Sequence, residues 1–440
     1  MARVSNLPPG PSQLPVVQMY RWVHDPFSLL AECKRKFGDT FTLRLAGFGT
    51  AVFTGDPAFV HAVFTADPDV LSAAQANDVL LPFVGPNSLL TMDGARHRRD
   101  RKLMTPPFHG ARMRAYGSIV QEAAARAIAN WQVGTTVAAH PAMQAASLEV
   151  ILRAVYGVGE ASDLARAQHV ITELLEGVTG SVMFFSALRH NFGPWSPWGR
   201  YLKNKAIVDR IMDDAIALRR ESPGEDILSL LLAARDEQGN PLSKAELHDE
   251  LVTLLLAGHE TTATGLAWTL AWLTSTPDGM ERLVAEVDAN PGDPESVSKL
   301  PYLSAVCNEA LRMRPVFPIV MRVATEDWAG PVTIPKGVRI APCIYLVHQN
   351  EDLYPDPDTF RPERFLDRTF APHEFLPFGG GARRCIGMAF ALYEMKLVLA
   401  EVLRTYTLAT DAARPGTSRR NLALAPTDGA QVRVVARRTT

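Results

Sequence analysis

The chain of 440 residues is 47% apolar and 21% charged, with a net charge of −2. This composition is typical of a globular protein with a large core. The near-neutral charge excludes a nucleic-acid-binding protein, which needs a strong basic excess, and because no run of about 18 apolar residues occurs, no membrane-spanning helix is predicted.

A single domain over residues 1–440 is predicted, although the length would admit several. No Ser/Gly linker, charge block, low-complexity segment or repeat divides the chain. Cys33, Cys307, Cys343 and Cys385 are far apart in sequence, so they indicate neither a zinc site nor a disulfide framework. Reduced cysteines, and an N-terminus without the apolar core of a signal peptide, favour a cytoplasmic protein.

The predicted strands come from the two ends of the chain. Segment 40–56 alternates apolar and polar residues around a Gly-Phe-Gly turn, which predicts a β-hairpin. A β-branched stretch near the Pro-Lys-Gly sequence predicts further strands, and the tail predicts a last pair of strands that turns at Asp428. The β-rich portion therefore comprises about 38–56, 328–347 and 421–437.

The rest of the chain is predicted to be mainly helical, with a helix at 26–37, a mostly helical pattern from about 57 to 315 and a clear helix at 386–406. The result is a mainly α fold with a minor β part (α+β), without the strand–helix alternation of a doubly wound sheet. Neither GxGxxG after a strand nor GxxxxGK[ST] is present, so no nucleotide-binding module is predicted.

One predicted helix is unusually long. Ser243 and Glu246 form a capping box at its start, and it runs to about Ser275, or roughly 50 Å. A helix of this length fits a globular domain only through its centre. Its middle, AGHETT (257–262), is poorer in helix formers than the leucine-rich turns before it, and such local weakness often marks a functional site. The simpler alternative is that Thr261 bonds back to the carbonyl four residues earlier.

The segment FLPFGGGARRCIGMAFALYEM (375–395) places Cys385 in the first turn of the last long helix. Unpaired N–H groups and the positive dipole at a helix N-terminus favour a thiolate, and the glycines permit close approach to a large flat partner. An ordinary glycine-rich surface loop or a phosphate-binding loop would also explain the glycines. Neither explains the spacing FxxGxRxCxG, whose five fixed residues should coincide by chance well below roughly once in a thousand such chains.

This spacing is the haem-ligand signature of the cytochrome P450 family, and the chain resembles that family, in its soluble bacterial form, from about residue 7 to its end. The resemblance implies a cytochrome P450 fold with the long helix over a haem b, and Cys385 as the thiolate ligand of the iron. Thiolate ligation pushes electron density towards the iron and favours O–O cleavage.

The same resemblance assigns further residues of the site. Glu260 and Thr261 would deliver the protons that O2 reduction consumes, which requires an ionisable group and a hydroxyl on one wall. Ala257 and Gly258 would make room over the haem, and four cations would face the haem propionates: His97, Arg101, Arg322 and Arg383. The full cofactor-binding set is His97, Arg101, Ala257, Arg322, Phe378, Arg383, Cys385 and Gly387.

A structural network is implied behind the haem loop. Glu309 and Arg312, three apart in EALR, can pair on one helix face, and Arg364 in FRPERF is the third member by resemblance. We expect these residues to hold the loop that carries Cys385 without taking part in the chemistry.

The basic run DGARHRRDRKL (93–103) would ordinarily be a solvated helix face. By resemblance, its remaining cations would form a docking site for an acidic electron donor of the ferredoxin type, whose attraction weakens with salt. These cations are Arg96, Arg98, Arg99 and Lys102.

The implied substrate pocket is almost wholly apolar, although ordinary core is the alternative for about half of its residues. It suggests a lipophilic substrate such as a fatty acid, a terpenoid or a polyketide-like compound. Besides the region 178–198, its residues are Leu80, Leu81, Phe83, Val84, Ala257, Val316, Ile319 and Leu424.

The predicted function is a haem-thiolate monooxygenase that inserts one oxygen atom from O2 into such a molecule. Because no flavin or nicotinamide motif is present, electrons must come from an external ferredoxin and reductase. Two alternatives stay open: a haem-thiolate peroxygenase or isomerase that does not use O2, and a haem sensor or carrier without turnover.

Overall fold

Helices form most of the molecule in the computed structural model, which describes residues 7–110, 112–159, 161–177, 189–410, 415–420 and 422–438. The first helices are α1 Pro15–His24, α2 Pro26–Phe37, α3 Pro57–Thr65, α4 Leu81–Val84, α5 Gly94–Met104, α6 Arg112–Ala115, α7 Gly117–Ile128, α8 Ala139–Ala154 and α9 Ala161–Gly177. They continue with α10 Pro197–Glu221, α11 Ile227–Ala233, α12 Lys244–Thr274, α13 Pro277–Asp288, α14 Pro294–Ser298, α15 Pro301–Met313, α16 Ile344–His348, α17 Arg364–Asp367 and α18 Met388–Thr405.

The strands are short and come mainly from the two ends of the chain. They are β1 Thr40–Leu45, β2 Gly49–Thr54, β3 Leu71–Ser72, β4 Thr136–Ala138, β5 Arg322–Ala324, β6 Trp328–Ala329, β7 Thr333–Ile334, β8 Arg339–Pro342, β9 Tyr406–Ala409, β10 Thr417–Arg420, β11 Ala423–Pro426 and β12 Gln431–Arg437. The fold is therefore mainly α with a minor β part, as predicted.

The largest sheet has the strand order β1-β2-β8-β5-β3. The predicted hairpin is confirmed: β1 and β2 pair antiparallel from Thr40 opposite Thr54 to Leu45 opposite Gly49. Strand β8 then joins β2 in parallel. The hairpin thus anchors the segment that follows Arg322, because β5 pairs with β8 in the same sheet.

Two sequence predictions about strands need correction. The tail strands β11 and β12 do not pair with each other, because β11 pairs with β10 whereas β12 lies between β4 and β9. In the predicted strand region 328–347, the last residues form helix α16 instead. Its Ile344, Leu346 and Val347 are fully buried, so tertiary packing overrides the strand preference of β-branched residues.

Helix α12 is the centre of the molecule and begins with the predicted capping box, in which Ser243 and Glu246 exchange hydrogen bonds. Its 31 residues span about 46 Å at 1.5 Å per residue. Helices α8, α15 and α18 pack against it, and its second half is buried on all sides, as expected for a helix that is apolar all round. Each large side chain buried this way contributes roughly 1.5–3 kcal/mol.

Glycine allows the closest contact of α12 with α8. A Cβ on Gly258 would lie 2.6 Å from Cδ1 of Ile151, which belongs to α8. This glycine therefore faces the neighbouring helix, whereas it was expected to make room over the haem.

Among the described residues, no helix has both the length and the hydropathy needed to cross a bilayer.

Candidate active site

The loop before α18 presents Cys385. A short 3₁₀ turn, Gly381–Arg383, precedes the cysteine, and its N–H donates to the Phe378 carbonyl at 2.9 Å. Helix α18 begins only at Met388, with Gly387 as its N-cap. The prediction that Cys385 lies in the first turn of the helix was therefore wrong, because the chain makes one further turn before the helix starts.

Close packing explains two of the glycines in this loop. A Cβ on Gly380 would collide with the ring of Phe64, and a Cβ on Gly381, whose φ is 64°, would collide with the Phe64 carbonyl. Phe64 belongs to α3. The glycines thus seat the cysteine loop against α3 and fix its path.

The surroundings of Cys385 affect its charge in opposite directions. Burial raises the pKa of the thiol, whereas a hydrogen bond from the Gly387 N–H and the charges of Arg101 and Arg384 lower it; the net direction is upward. The side chain is nevertheless accessible. A desolvated but accessible sulfur faces an internal cavity rather than bulk water, and a bound metal ion would deprotonate it outright.

Buried and half-buried basic side chains gather beside this cysteine. His97 and Arg322 are 4% and 8% exposed, and Arg101 lies close enough to Cys385 for the two charges to interact. Burial and the nearby Arg383 lower the pKa of Arg322 to about 10. Burial, followed by Arg383 and Arg101, lowers the pKa of His97 to about 4.

The negative partners of these cations are few. Arg383 donates to Asp93 and to the carbonyls of Leu89 and Met92, but its Nε has no partner among the described residues. The Arg322 guanidinium donates to the Met321 carbonyl at 2.8 Å. A buried cluster with a single carboxylate calls for an anionic ligand, and the two propionates of haem fit this need.

One face of α12 remains accessible although the helix is central. Ala257 is exposed and Thr261 is half-buried, while His259 and Thr262 between and beside them are buried. Residues four apart lie on the same helix face, so this face borders a cavity. The Thr261 hydroxyl donates to the Ala257 carbonyl at 2.6 Å, and α12 continues without interruption through the motif.

Glu260 turns towards α8 instead of towards Thr261. Its Oε2 accepts from the Gln144 amide at 2.6 Å, and its Oε1 lies 3.4 Å from both His140 Nε2 and Thr264 Oγ1. Burial works to raise the pKa of Glu260, but the contacts with His140 and Gln144 outweigh it and leave this pKa lowered. The structure therefore does not join the predicted acid–hydroxyl pair by a hydrogen bond.

The structure brings the predicted Glu309–Arg312–Arg364 cluster together. Glu309 accepts from Arg312 Nε at 2.7 Å and from Arg364 Nε at 3.1 Å. Arg312 also donates to the carbonyl of His348 at 2.9 Å, and His348 Nε2 accepts from the N–H of Leu376 at 3.1 Å. The cluster is thereby linked to the start of the cysteine loop.

The predicted pocket residues have mixed surroundings. Phe83 is buried against Trp198 and Tyr201, with ring centroids 5.9 and 5.4 Å apart, and Val84 is buried beside it. The Leu424 N–H donates to the Val316 carbonyl at 2.9 Å.

Other members of the predicted pocket lie apart from this group. Leu80 is partly buried against the main core, Leu81 is 45% exposed, and Ile319 packs against the core of the β1–β2 hairpin. Within the predicted region 178–198, residues 178–188 lie outside the described residues.

The predicted docking cations lie on α5, beside a surface groove of about 1120 Å³ that six cations and two acids line. Arg98 is exposed. Arg99 donates to Asp236 at 2.8 Å, and Lys102 to Glu237 at 2.6 Å. Arg96 contacts Glu246 at 3.4 Å. Three of the four predicted docking cations therefore already pair with acidic residues of the same chain.

Sequence reasoning missed several partners of the site, namely Asp93, His140, Gln144 and His348. His140 and Gln144 are four apart in a helix that is otherwise largely apolar, and this spacing would have indicated a shared polar contact. Their partner on α12 is more than a hundred residues away, so no local pattern indicates which acid they contact.

An accessible cysteine beside a cluster of basic side chains with a single carboxylate fits a haem-thiolate protein. The family model for cytochrome P450 matches residues 8–434. The chain belongs to the cytochrome P450 family. It is accordingly a haem-thiolate monooxygenase, and the family binds haem b through a cysteine thiolate.

Known proteins similar to the chain agree with this assignment. A protein of Mycobacterium tuberculosis (strain ATCC 25618 / H37Rv), provisionally named cytochrome P450 135B1, is 39% identical over 98% of this chain and 92% of its own. Another from the same strain, provisionally named cytochrome P450 138, is 35% identical over 98% and 96%.

Two solved structures share the fold along almost the whole chain. Retinoic acid-bound cyanobacterial CYP120A1 has a TM-score of 0.85 and 27% identity, with 98% of this chain and 99% of that chain covered. The haem domain of cytochrome P450DA has a TM-score of 0.84 and 25% identity, with 98% of both chains covered.

Proposed function

We propose that this monooxygenase inserts one oxygen atom from O2 into a lipophilic small molecule, with Cys385 as the haem ligand and an external ferredoxin as the electron donor. The observation that carries the assignment of the site is the accessible Cys385 sulfur beside the buried Arg322 and beside Arg383, whose Nε has no hydrogen-bond partner among the described residues. When bound, haem supplies the iron at which O2 is activated.

Different residues around Cys385 would hold different parts of the haem. His97, Arg101, Arg322 and Arg383 would bind the propionates, and Phe378 and Gly387 would pack beside the thiolate. Ala257, on the accessible face of α12, would border the opposite side. Burial strengthens the cation–propionate contacts, because charges interact more strongly where water is excluded.

The substrate class follows from the surroundings of the cavity. Phe83, Val84, Val316 and Leu424 are apolar and buried, so an occupant gains binding energy mainly by losing contact with water. CYP120A1, similar in fold, is described with retinoic acid, which is itself largely apolar. A fatty acid, a terpenoid or a polyketide-like compound fits these surroundings.

The donor would dock on α5, where Arg98 is exposed and the groove carries an excess of cations. Internal ion pairs of Arg99 and Lys102 reduce this excess, so an acidic donor must compete with Asp236 and Glu237. Four free cysteines, of which three are buried, support a reducing, cytoplasmic setting.

The test begins with the haem-reconstituted protein. Its reduced carbonyl spectrum should carry the band of thiolate ligation, and Cys385→Ser should lose that band. An optical titration with fatty acids, terpenoids and polyketide-like compounds should then change the spin state for one class. A carbonyl spectrum unchanged in Cys385→Ser would overturn the assignment of the ligand.

A peroxygenase is the second candidate, since Glu260 and Thr261 are not joined by a hydrogen bond. Peroxide brings its own protons and would need no relay. Product formed with peroxide alone, and none with ferredoxin, reductase and NAD(P)H, would favour this candidate.

A further inference from the structure

Glu260 reaches α8 through a buried polar cluster. His140 is fully buried, and Gln144, one turn further along α8, donates to the same carboxylate at 2.6 Å. Thr264, one turn further along α12, completes the cluster through contacts of 3.4 Å with Glu260 and His140. The two helices thus meet through hydrogen-bonding groups where apolar side chains would pack at lower cost.

Backbone contacts fix the position of His140. Its N–H donates to the carbonyl of Gly429 at 2.9 Å, and the N–H of Ala139 donates to that of Ala430 at 3.0 Å. The turn between β11 and β12 therefore holds the start of α8. The backbone of residue 140 is thus placed by the fold and does not depend on Glu260 for its location.

The cluster is incompletely satisfied. The Nδ1 atoms of His140 and His259 are buried and have no partner among the described residues. An unpaired buried polar atom destabilises the folded state. Since an apolar side chain would avoid this cost, stability alone does not account for a histidine at position 140.

We propose that His140 is a positioning residue of this monooxygenase, whose imidazole holds the Glu260 carboxylate on the α8 side of helix α12. This inference rests on the proposed role of Glu260 in delivering protons. Fixed donors from His140 and Gln144 keep the carboxylate ionised in a buried site, so that it is ready to accept a proton and pass it towards the cavity. The described titratable groups that act on it are His140, on α8, and His259, on its own helix.

The first test measures the contact without turnover. Unfolding of the haem-loaded protein is compared for His140→Phe, Glu260→Gln and the double variant. Residues in contact give non-additive changes, so we expect the double variant to lose less stability than the sum of the single ones. Additive losses would overturn the proposal, whatever reaction the enzyme catalyses.

The second test measures proton delivery. With ferredoxin, reductase and O2, His140→Phe should lower kcat at least about tenfold, leave KM within about twofold, and release more hydrogen peroxide per electron consumed. With added peroxide as the oxidant, the variant should match the wild type. His140→Gln, which keeps an N–H donor, should recover most of kcat.

A matched control separates this role from a structural one. His248 lies elsewhere on α12, and its imidazole pairs with Asp209 and Asp249. His248→Gln removes this imidazole and should leave both the O2-dependent and the peroxide-dependent turnover unchanged. An equal loss by the O2 and peroxide routes in His140→Phe would indicate a structural role and overturn the proposal. If the wild type itself forms no product with O2, the proposed function fails, while the unfolding comparison still decides whether His140 and Glu260 are coupled.

Discussion

Two acids in the interior, the fully buried Glu309 and the half-buried Glu260, have opposite hydrogen-bonding environments. Glu309 accepts four hydrogen bonds of 2.7–3.1 Å, from Arg312, Arg361 and Arg364. Glu260 has one short hydrogen bond, from Gln144, and two contacts at 3.4 Å. A carboxylate whose oxygens are saturated with hydrogen bonds is held in one position, whereas a partly satisfied one keeps acceptor capacity for another group. Saturation therefore suits the support of the cysteine loop, and incomplete satisfaction suits chemistry.

The largest effect should come from removing the saturated acid. Glu309→Ala leaves Arg312 and Arg364 buried without their carboxylate, and breaking such a pair costs about 3–5 kcal/mol. Chemical denaturation and haem content should both show the loss, because the cluster supports the loop that carries Cys385. A variant that keeps its haem and loses under about 1 kcal/mol would contradict the structural role.

Glu260→Gln should show the reverse pattern. The isosteric amide keeps the volume of the side chain, so the unfolding midpoint should change little. Without an ionisable group the O2-dependent kcat should fall about 100-fold, within the range usual for general acid–base groups. Thermal unfolding and single-turnover kinetics measure the two effects. A large stability loss with normal turnover would show that Glu260, like Glu309, has a structural role.

Glu394 extends the comparison to an acid with even fewer partners. Burial raises its pKa to about 8 from 4.5, and the nearby Ser147 offsets this rise only in part. A folded-state pKa above the unfolded one contributes stability that is fully present below pH 4.5 and is lost as the pH rises through about 8. Glu394→Gln should remove this dependence, which amounts to roughly 5 kcal/mol over the full range at about 1.36 kcal/mol per pKa unit.

Thermal unfolding of the wild type and Glu394→Gln at pH 5.5 and pH 8.5 measures this difference. The wild type should lose stability relative to the variant at the higher pH. If the wild type and the variant differ in melting temperature by the same amount at both pH values, Glu394 is ionised in the folded protein or has a partner outside the described residues.

The smallest effect on stability is expected at the surface. Lys102 and Glu237 are each 71% exposed, and exposed pairs contribute little to folding. Lys102→Ala should leave unfolding unchanged but slow reduction by ferredoxin severalfold at low salt. Stopped-flow reduction over a range of ionic strength measures this change, and an unaltered salt dependence would remove Lys102 from the docking site.

The sequence by itself determined the identity of the fold and most of its site. Local signals are enough for the capping box at Ser243, the hairpin at 40–56 and the spacing around Cys385, because each depends on residues close in the chain. The pairing of Glu309 with Arg312 is likewise a local i, i+3 relation. A resemblance to a known family then supplied the cofactor and the cations that are expected to face its propionates.

Only the tertiary structure decided which groups meet across the chain. It turned Glu260 towards His140 and away from Thr261, joined β12 to β4 and β9 rather than to β11, and paired Lys102 with Glu237. These contacts join residues that are distant in sequence or follow from how whole helices and strands pack. No local pattern encodes them, because the partner of a buried polar group is set by the fold that buries it.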